Sequence, residues 1–328
     1  MTKTLNNRYY SKFPITINWN ITKRCNLRCK HCFNSEFNQE PDLQTIRQYI
    51  DYFDLKKVAS IALTGGEPFV RDDIFEIIDM INKKNINMSI ASNGTLITET
   101  HAKHLRNANV RYVQISLDSY CESNNDEIRG CGAFLKTLSG ITLLVNNNIK
   151  TIIGCVISKK NFRDIGKIAK LAASLNVNAL RFELFVPLGL GKDSGLELRY
   201  NELIEVNESI KNICIDGIKI INPFNEISNG CDTGYINVVL NEDMSLSPCD
   251  LLAETMRTRT ADSAADLENI WNNDEIFRKW RNIAVADEYC TSCHLFNDCA
   301  FGCRASALAY AGSLYAYDNI CLKNKTIV

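Results

Sequence analysis

Histidine is scarce, with four in 328 residues. No Ser–His–Asp or Cys–His pairing can be recognised among them, so the usual triad and thiol-protease arrangements are set aside. One-sided charge is also missing. Thirty-seven basic residues face 38 acidic ones, the formal net charge is −1, and no basic arm or acidic tail stands out. Nucleic acid is therefore not an expected partner. Long apolar runs are absent too: no stretch approaches ~18 apolar residues, and the opening MTKTLNNRYYSKFP lacks a signal-peptide core. The expectation is a cytoplasmic protein without membrane association. There is no internal repeat and no low-complexity tract.

Hydrophobic residues make up 45% and charged residues 23%, enough for a large core beneath an ordinary soluble surface. The length is about twice that at which soluble chains tend to divide into domains. Cysteine is the outlier, at fourteen. A disulfide framework suits small secreted chains, and this chain is large with no export signal. Reduced thiols holding a metal or a cluster are the better expectation.

From residue 15 to about 185, strand-like runs alternate with helix-period segments. The predicted strands are ITINWNI (15–21), ASIALT (59–64), NMSIAS (87–92), VRYVQISL (110–117), TIIGCVI (151–157) and ALRFELF (179–185). Between them, Ile74, Ile77, Ile78 and Ile81 follow helical spacing, with Asp72 as the expected N-cap. Leu43, Ile46 and Ile50 make a similar stripe, as do Ile165, Ile168, Ala172 and Leu175. Six strands alternating with helices imply a parallel sheet, either open or a part-barrel, with ligands gathered at the strand carboxyl ends. The unusual residues fall there: a cysteine loop after the first strand, Gly65-Gly66-Glu67-Pro68 after the second, Ser92-Asn93-Gly94 after the third and Asp118 after the fourth. The periodicity is expected to end in a connector, VPLGLGKDSG (186–195), and the chain beyond about 215 reads as irregular.

The loop ITKRCNLRCKHCF (21–33) brings Cys25, Cys29 and Cys32 to one point. Thiolates select zinc or iron–sulfur clusters. A structural zinc wants a fourth protein ligand, and His31, next to Cys32, is poorly placed to share a tetrahedron with it. A cubane held by three cysteines leaves one iron open for chemistry. Spacing alone leaves both readings standing.

Cys-x3-Cys-x2-Cys after a first strand, with Gly-Gly-Glu-Pro after the second, resembles the radical S-adenosylmethionine (SAM) superfamily. The resemblance implies an α/β fold, a partial (β/α)6 barrel, in which Cys25, Cys29 and Cys32 hold a 4Fe–4S cluster. SAM would chelate the open iron, and one electron would cleave it to a 5′-deoxyadenosyl radical that abstracts a substrate hydrogen. It also implies that Gly65, Gly66 and Glu67 receive the methionine amino group, that Asn93 lies near the ribose and that Ser116 and Arg129 contact the carboxylate. His31 and Phe33 would be rings near the adenine. Glycines permit close backbone approach, a carboxylate accepts from an ammonium, and an arginine fork fits a carboxylate.

The tail carries Cys231, Cys249, Cys290, Cys293, Cys299, Cys303 and Cys321, more than one four-ligand site can use. A structural zinc module is the plain alternative. The run Cys290-x2-Cys293-x5-Cys299-x3-Cys303 and the stretch GCRASALAYAGSLYAYDNIC (302–321) resemble the SPASM extension of radical SAM enzymes. Relatives of that kind mature ribosomal peptides, redox cofactors and haem-like tetrapyrroles. The resemblance implies a core barrel over 1–215, a cysteine-rich α+β domain over 216–328, and two auxiliary iron–sulfur clusters, expected as 4Fe–4S. Cys231, Cys249 and Cys303 would bind the first; Cys290, Cys293, Cys299 and Cys321 would bind the second. Met244 stands at a usual glycine. The fourth cysteine that some relatives carry soon after the position of Cys231 is missing, and only Asp232, Thr233 and Asn237 lie nearby. The first auxiliary cluster is thus expected to have an open or non-cysteine position.

Cys121, Cys131, Cys155 and Cys214 are left over. Buried structural thiols are the plain expectation; the sharper one has Cys155 pointing inward from its strand as a hydrogen-atom donor. Asp118, Glu183 and Asp250 are acid/base choices without assignment. The first functional expectation is an anaerobic oxidoreductase that crosslinks, epimerises or oxidatively cleaves a ribosomal peptide, with a reductant such as flavodoxin or ferredoxin. Only 24 residues precede Cys25, so a separate leader-peptide-binding protein, or a leader-free mode, is expected. The alternatives are the same chemistry on a small molecule (a tetrapyrrole side chain, a sugar or an aminocyclitol) and a non-catalytic zinc-binding scaffold.

Overall fold

A computed structural model describes residues 3–4, 8–35, 40–228, 231–285, 288–294, 299 and 302–322. Short strands β1 (Lys3–Thr4) and β11 (Ala284–Val285) pair apart from the main sheet. The six predicted strands are β2 (Thr16–Thr22), β3 (Ser60–Gly65), β4 (Asn87–Ser92), β5 (Tyr112–Ser116), β6 (Thr151–Ile157) and β7 (Ala179–Leu184). They lie side by side in chain order, all parallel. The crossovers are α1 (Leu43–Leu55), α2 (Ile74–Lys83), α3 (Glu99–Asn107), then α4 (Glu122–Arg129) with α5 (Ala133–Asn146), and α6 (Ile165–Ser174).

Alternation along the strands sorts two faces. Ile17, Trp19, Ile21, Ile61, Leu63, Met88, Ile90, Val113 and Ile115 are buried in one core with Ile46, Tyr49 and Phe53 of α1 and Ile77, Ile78 and Ile81 of α2. Trp19 stands edge-on to Phe53, ring centroids 5.5 Å apart. The residues between them, among them Asn18, Asn20 and Gln114, take the inner face, away from the helices.

The sheet runs on where the sequence suggested irregular chain. α7 (Tyr200–Lys211) buries Leu203, Val206 and Ile210. β8 (Lys219–Ile221) adds beside β7, β9 (Asn237–Leu240) pairs in parallel with the free side of β2, and β10 (Leu246–Ser247) pairs antiparallel with β9. One nine-stranded sheet results, in the order β10-β9-β2-β3-β4-β5-β6-β7-β8, and it crosses residue 215. The added strands are two to four residues long, too short for an alternation to register. Met244 occupies the turn between β9 and β10 with φ +64°, a left-handed position that explains a usual glycine there. Among the described residues no single helix is long and apolar enough to cross a membrane.

α2 begins at Ile74 with Asp73, not Asp72, at its cap, and Asp73 makes no capping bond. Its carboxylate is taken instead by Arg71, whose Nε and Nη2 each reach it at 2.7 Å. Arg71 also donates through Nη1 to the carbonyls of Ile21 and Pro41, at 2.8 and 3.0 Å, pinning the turn after β3 to the end of β2.

The glycines after β3 let two main chains touch. Gly66 N–H donates to Thr22 O at 2.8 Å and Glu67 N–H to Arg24 O at 2.9 Å. A Cβ at Gly65 would lie 2.2 Å from Thr22 O, and one at Gly66 2.2 Å from Arg24 O. Gly66→Ala should therefore cost about 1–3 kcal/mol in anaerobic chemical denaturation, as overpacking against immovable backbone does. Gly166 in α6 has open space around its Cβ position. Gly166→Ala should instead stabilise by about 0.5–1 kcal/mol, the ordinary helix gain.

Candidate functional site

Cys25, Cys29 and Cys32 leave the carboxyl end of β2 as half-buried thiols on one loop. Burial pushes all three up, Cys32 to about 11, and at Cys32 the charges of Cys29 and Cys25 would add to it. Leu27 N–H points at Cys25 Sγ, 3.4 Å away. Such thiols ionise together only when a cationic centre binds among them. A zinc draws its ligands onto one atom, whereas a cubane takes each thiolate on a different iron. The donor set fits a cluster. No disulfide joins the fourteen cysteines.

The loop is walled by its neighbours. Asn93, after β4, donates from Nδ2 to Asn26 Oδ1 at 2.9 Å, with the same nitrogen 4.0 Å from Cys25 Sγ. Asn26 in turn donates to Thr95 Oγ1 at 2.8 Å. On the other side, Gly191 N–H donates to Cys32 O at 3.1 Å, and a Cβ at Gly189 would lie 2.1 Å from Phe33 O. The glycines of 186–195 are thus more than a connector, because they back the half-buried Phe33 and the end of the loop.

Glu67 is tied into the protein. Its side chain is fully buried, Oε1 accepts from Phe69 N–H (3.1 Å) and Ser92 Oγ–H (2.8 Å), and Oε2 accepts from Asn93 N–H (2.6 Å). Burial pushes its carboxyl up to about 7 against the pull of those donors. The group is a buckle between the turns after β3 and β4. Gly65 and Gly66 likewise spend their lack of a side chain on the chain's own backbone.

Asp118, one of the acid/base choices, is a hub. Oδ2 lies 2.6 Å from His31 Nε2 and 2.7 Å from Arg129 Nε, and Oδ1 accepts from Val156 N–H at 2.9 Å. Burial would raise its carboxyl, but the Arg129 guanidinium and then His31 hold it well below the usual range. A base of that kind is weak, so Asp118 acts as a strut. Arg129 is 5% exposed, with Nη1 4.0 Å from Cys29 Sγ, which brings the expected carboxylate fork to the cysteine loop with its Nε edge committed. Ser116, half-buried at the end of β5, has no hydrogen-bond partner for its hydroxyl among the described residues.

Cys155 does not face inward. It is in register with Phe182 and alternates with Gly154 and Val156, so it sits in the apolar core with Ile153 and Ile157. A donor to a substrate inside the sheet would need the opposite face. Of the other choices, Glu183 is half-buried on the inner face with Gln114 Nε2 3.5 Å from its Oε1. Asp250 is held by Asn18 Nδ2 at 2.6 Å, and burial raises its carboxyl despite that bond.

The tail thiols lie near one another. The thiols of Cys249, Cys303 and Cys231 lie within reach of one another's charge; burial pushes Cys249 well up and Cys303 to about 12. Cys299 is pushed to about 11 by burial, with Cys321 and Cys293 near enough to add to it. Cys290 lies with Cys303 and Cys299 around Arg304. A small second core of Tyr235, Leu252, Met256, Trp280, Ile283 and Ala305 supports Cys249, Cys290 and Cys303. Ser306 N–H points at Cys303 Sγ, 3.4 Å away, as Leu27 does at Cys25.

Comparison with known proteins agrees with this geometry. The family model described as the radical SAM superfamily matches residues 19–172. The chain is 29% identical to an AdoMet-dependent heme synthase of Methanosarcina barkeri, over 94% of this chain and 96% of that one. It is 27% identical to the mycofactocin maturase MftC of Mycobacterium tuberculosis, over 89% of this chain and 79% of that one. Among solved structures, SuiB of Streptococcus suis bound to its precursor peptide SuiA shares the fold with TM-score 0.78 at 17% identity, covering 95% of this chain and 77% of SuiB.

Asp118→Asn leaves Arg129 buried without its counter-charge and should cost about 3–5 kcal/mol at pH 7 in anaerobic denaturation. A carboxyl depressed in the folded state contributes fully above its unfolded value, about 4, and its contribution fades as pH falls below that. The gap between wild type and variant should hold from pH 7 to about 5 and narrow below about 4. A gap of unchanged size at pH 3 would assign it to something other than the ion pair.

Proposed function

Residues 19–172 are a radical SAM domain, and on that premise we propose that this enzyme modifies a ribosomally made peptide by crosslinking, epimerisation or oxidative cleavage. A 4Fe–4S cluster bound here would supply the electron for reductive cleavage of SAM, and with it hydrogen-abstracting radical chemistry. Cys25, Cys29 and Cys32 hold that cluster. Arg129 and the available Ser116 hydroxyl receive the SAM carboxylate, and Asn93 lies toward the ribose. The carbonyl side of the Gly65–Gly66 turn takes the amino group, since the Glu67 carboxylate is engaged. Cys231, Cys249 and Cys303 hold one auxiliary cluster, and Cys290, Cys293, Cys299 and Cys321 a second. Asp250, held by Asn18 Nδ2, is our choice of carboxyl to take a proton from substrate. A flavodoxin or ferredoxin serves as reductant.

The observation that supports a peptide is the balance of buried charge. Arg129 is answered by Asp118, Lys23 by Glu242 and Glu254, and Arg71 by Asp73. Lys23 and Arg71 are thus paired within the chain and Arg129 is assigned to SAM, so a near-neutral peptide places no demand on them. The similarity to MftC and the peptide-bound SuiB fold point the same way. A tetrapyrrole is the second reading, favoured by the heme synthase of Methanosarcina barkeri, which matches along 96% of its own length.

Under anaerobic reduction, 5′-deoxyadenosine yield should rise when the small peptide encoded beside the gene is added, with a mass change in that peptide. Stimulation by a carboxylated iron porphyrin alone would overturn the peptide reading. Asp250→Asn should keep SAM cleavage but lower peptide product by about 10²–10⁴-fold, the usual span for a lost acid or base.

A further inference from the structure

The stretch carrying the three front thiols is gripped at both ends by the tail. Lys23, two residues before Cys25, is 5% exposed, with Nζ 3.6 Å from Glu242 Oε1 and 3.7 Å from Glu254 Oε1. Ser35, three residues after Cys32, donates its N–H to Glu254 Oε1 at 2.8 Å and its hydroxyl to Glu254 Oε2 at 2.6 Å. One carboxylate thus ties the two stems of the loop together. Glu254 lies five residues beyond Cys249, and the chain between them is a stiff series of turns. Leu252 N–H donates to Cys249 O, and Ala253 N–H to Asp250 O, both at 3.1 Å. Arg257 braces the same segment: its Nε donates to Ala253 O at 3.0 Å, and its Nη1 reaches Glu242 at 2.9 Å and Asp243 at 3.0 Å.

We propose that Glu254 is a positioning residue that couples the Cys231/Cys249/Cys303 group to the front cysteine loop, so that the order of one depends on the occupancy of the other. The physical route is short. Filling the group that includes Cys249 fixes where the 249–254 turns sit, and Glu254 passes that position to Lys23 and Ser35. This rests on the radical SAM reading of the cysteines and not on the nature of the substrate.

The test is hydrogen–deuterium exchange of residues 23–35 in the anaerobically reconstituted full chain. Losing charge-assisted bonds in Glu254→Ala should speed exchange there about tenfold. Cys249→Ala in the wild-type background should speed the same segment, and in the Glu254→Ala background it should add nothing. Glu254→Gln keeps an acceptor for Ser35 but drops the charge facing Lys23, so an intermediate rate is expected, even if the alanine variant folds poorly. Unchanged exchange at 23–35 in the Glu254 variants would overturn the proposal. So would a Cys249→Ala effect that is absent from wild type or retains its full size without Glu254. None of these outcomes involves a substrate, so the peptide reading is tested separately.

Discussion

Three thiols on a short loop stay together only if something outside the loop holds them, and here the hold is main chain against main chain. The turn after β3 lies directly on Thr22–Arg24 because Gly65 and Gly66 have no side chains to keep it away. Glycines 189 and 191 repeat the device on the far side, against Phe33 and Cys32. Backbone groups buried this closely must find partners, and they find them in each other. The loop is therefore cast by the strand ends around it, and Cys25, Cys29 and Cys32 inherit their places from that casting.

Buried ions refine what the backbone contacts begin. Asp118 collects His31 from the loop and Arg129 from α4 at one point, so a displacement of either would strand a charge away from water. Glu67 works beside it, taking two backbone N–H groups and a hydroxyl to lock the turns after β3 and β4. These groups face the cysteines without being their ligands. Metal sites depend on such outer contacts for ligand orientation. In this chain they come from four different strand ends, which is why a parallel sheet suits the chemistry.

The six central strands and the helices over them could be read from alternation and helical stripes, and the cysteine spacing with the Gly-Gly-Glu-Pro run marked the site. Other features gave too little signal. β8, β9 and β10 are shorter than any alternation that could announce them. TIIGCVI is buried on both faces, so its continuous apolar run does not say which way Cys155 points. The thiol proved to face the helices. The contacts that Glu67 and the two glycines make within the chain could not be read, because sequence shows residue types and not what lies across space. The Thr22–Arg24 carbonyls became visible only once β2 and β3 were side by side. Asp118 was marked by its place after a strand, yet the ion pairs that make it a strut come from residues 87 positions before it and 11 after it. The Glu254 grip joins residues 219 apart, with no pattern linking them.

In the proposed function the cysteines form separate cluster sites, and the front loop is one of them. The most direct measurement is iron and sulfide per chain after anaerobic reconstitution, in wild type and in a variant with Cys25, Cys29 and Cys32 all changed to alanine. Three cubanes predict about twelve irons falling to about eight in the variant. Equal iron in both proteins, or zinc in place of iron, would contradict the account.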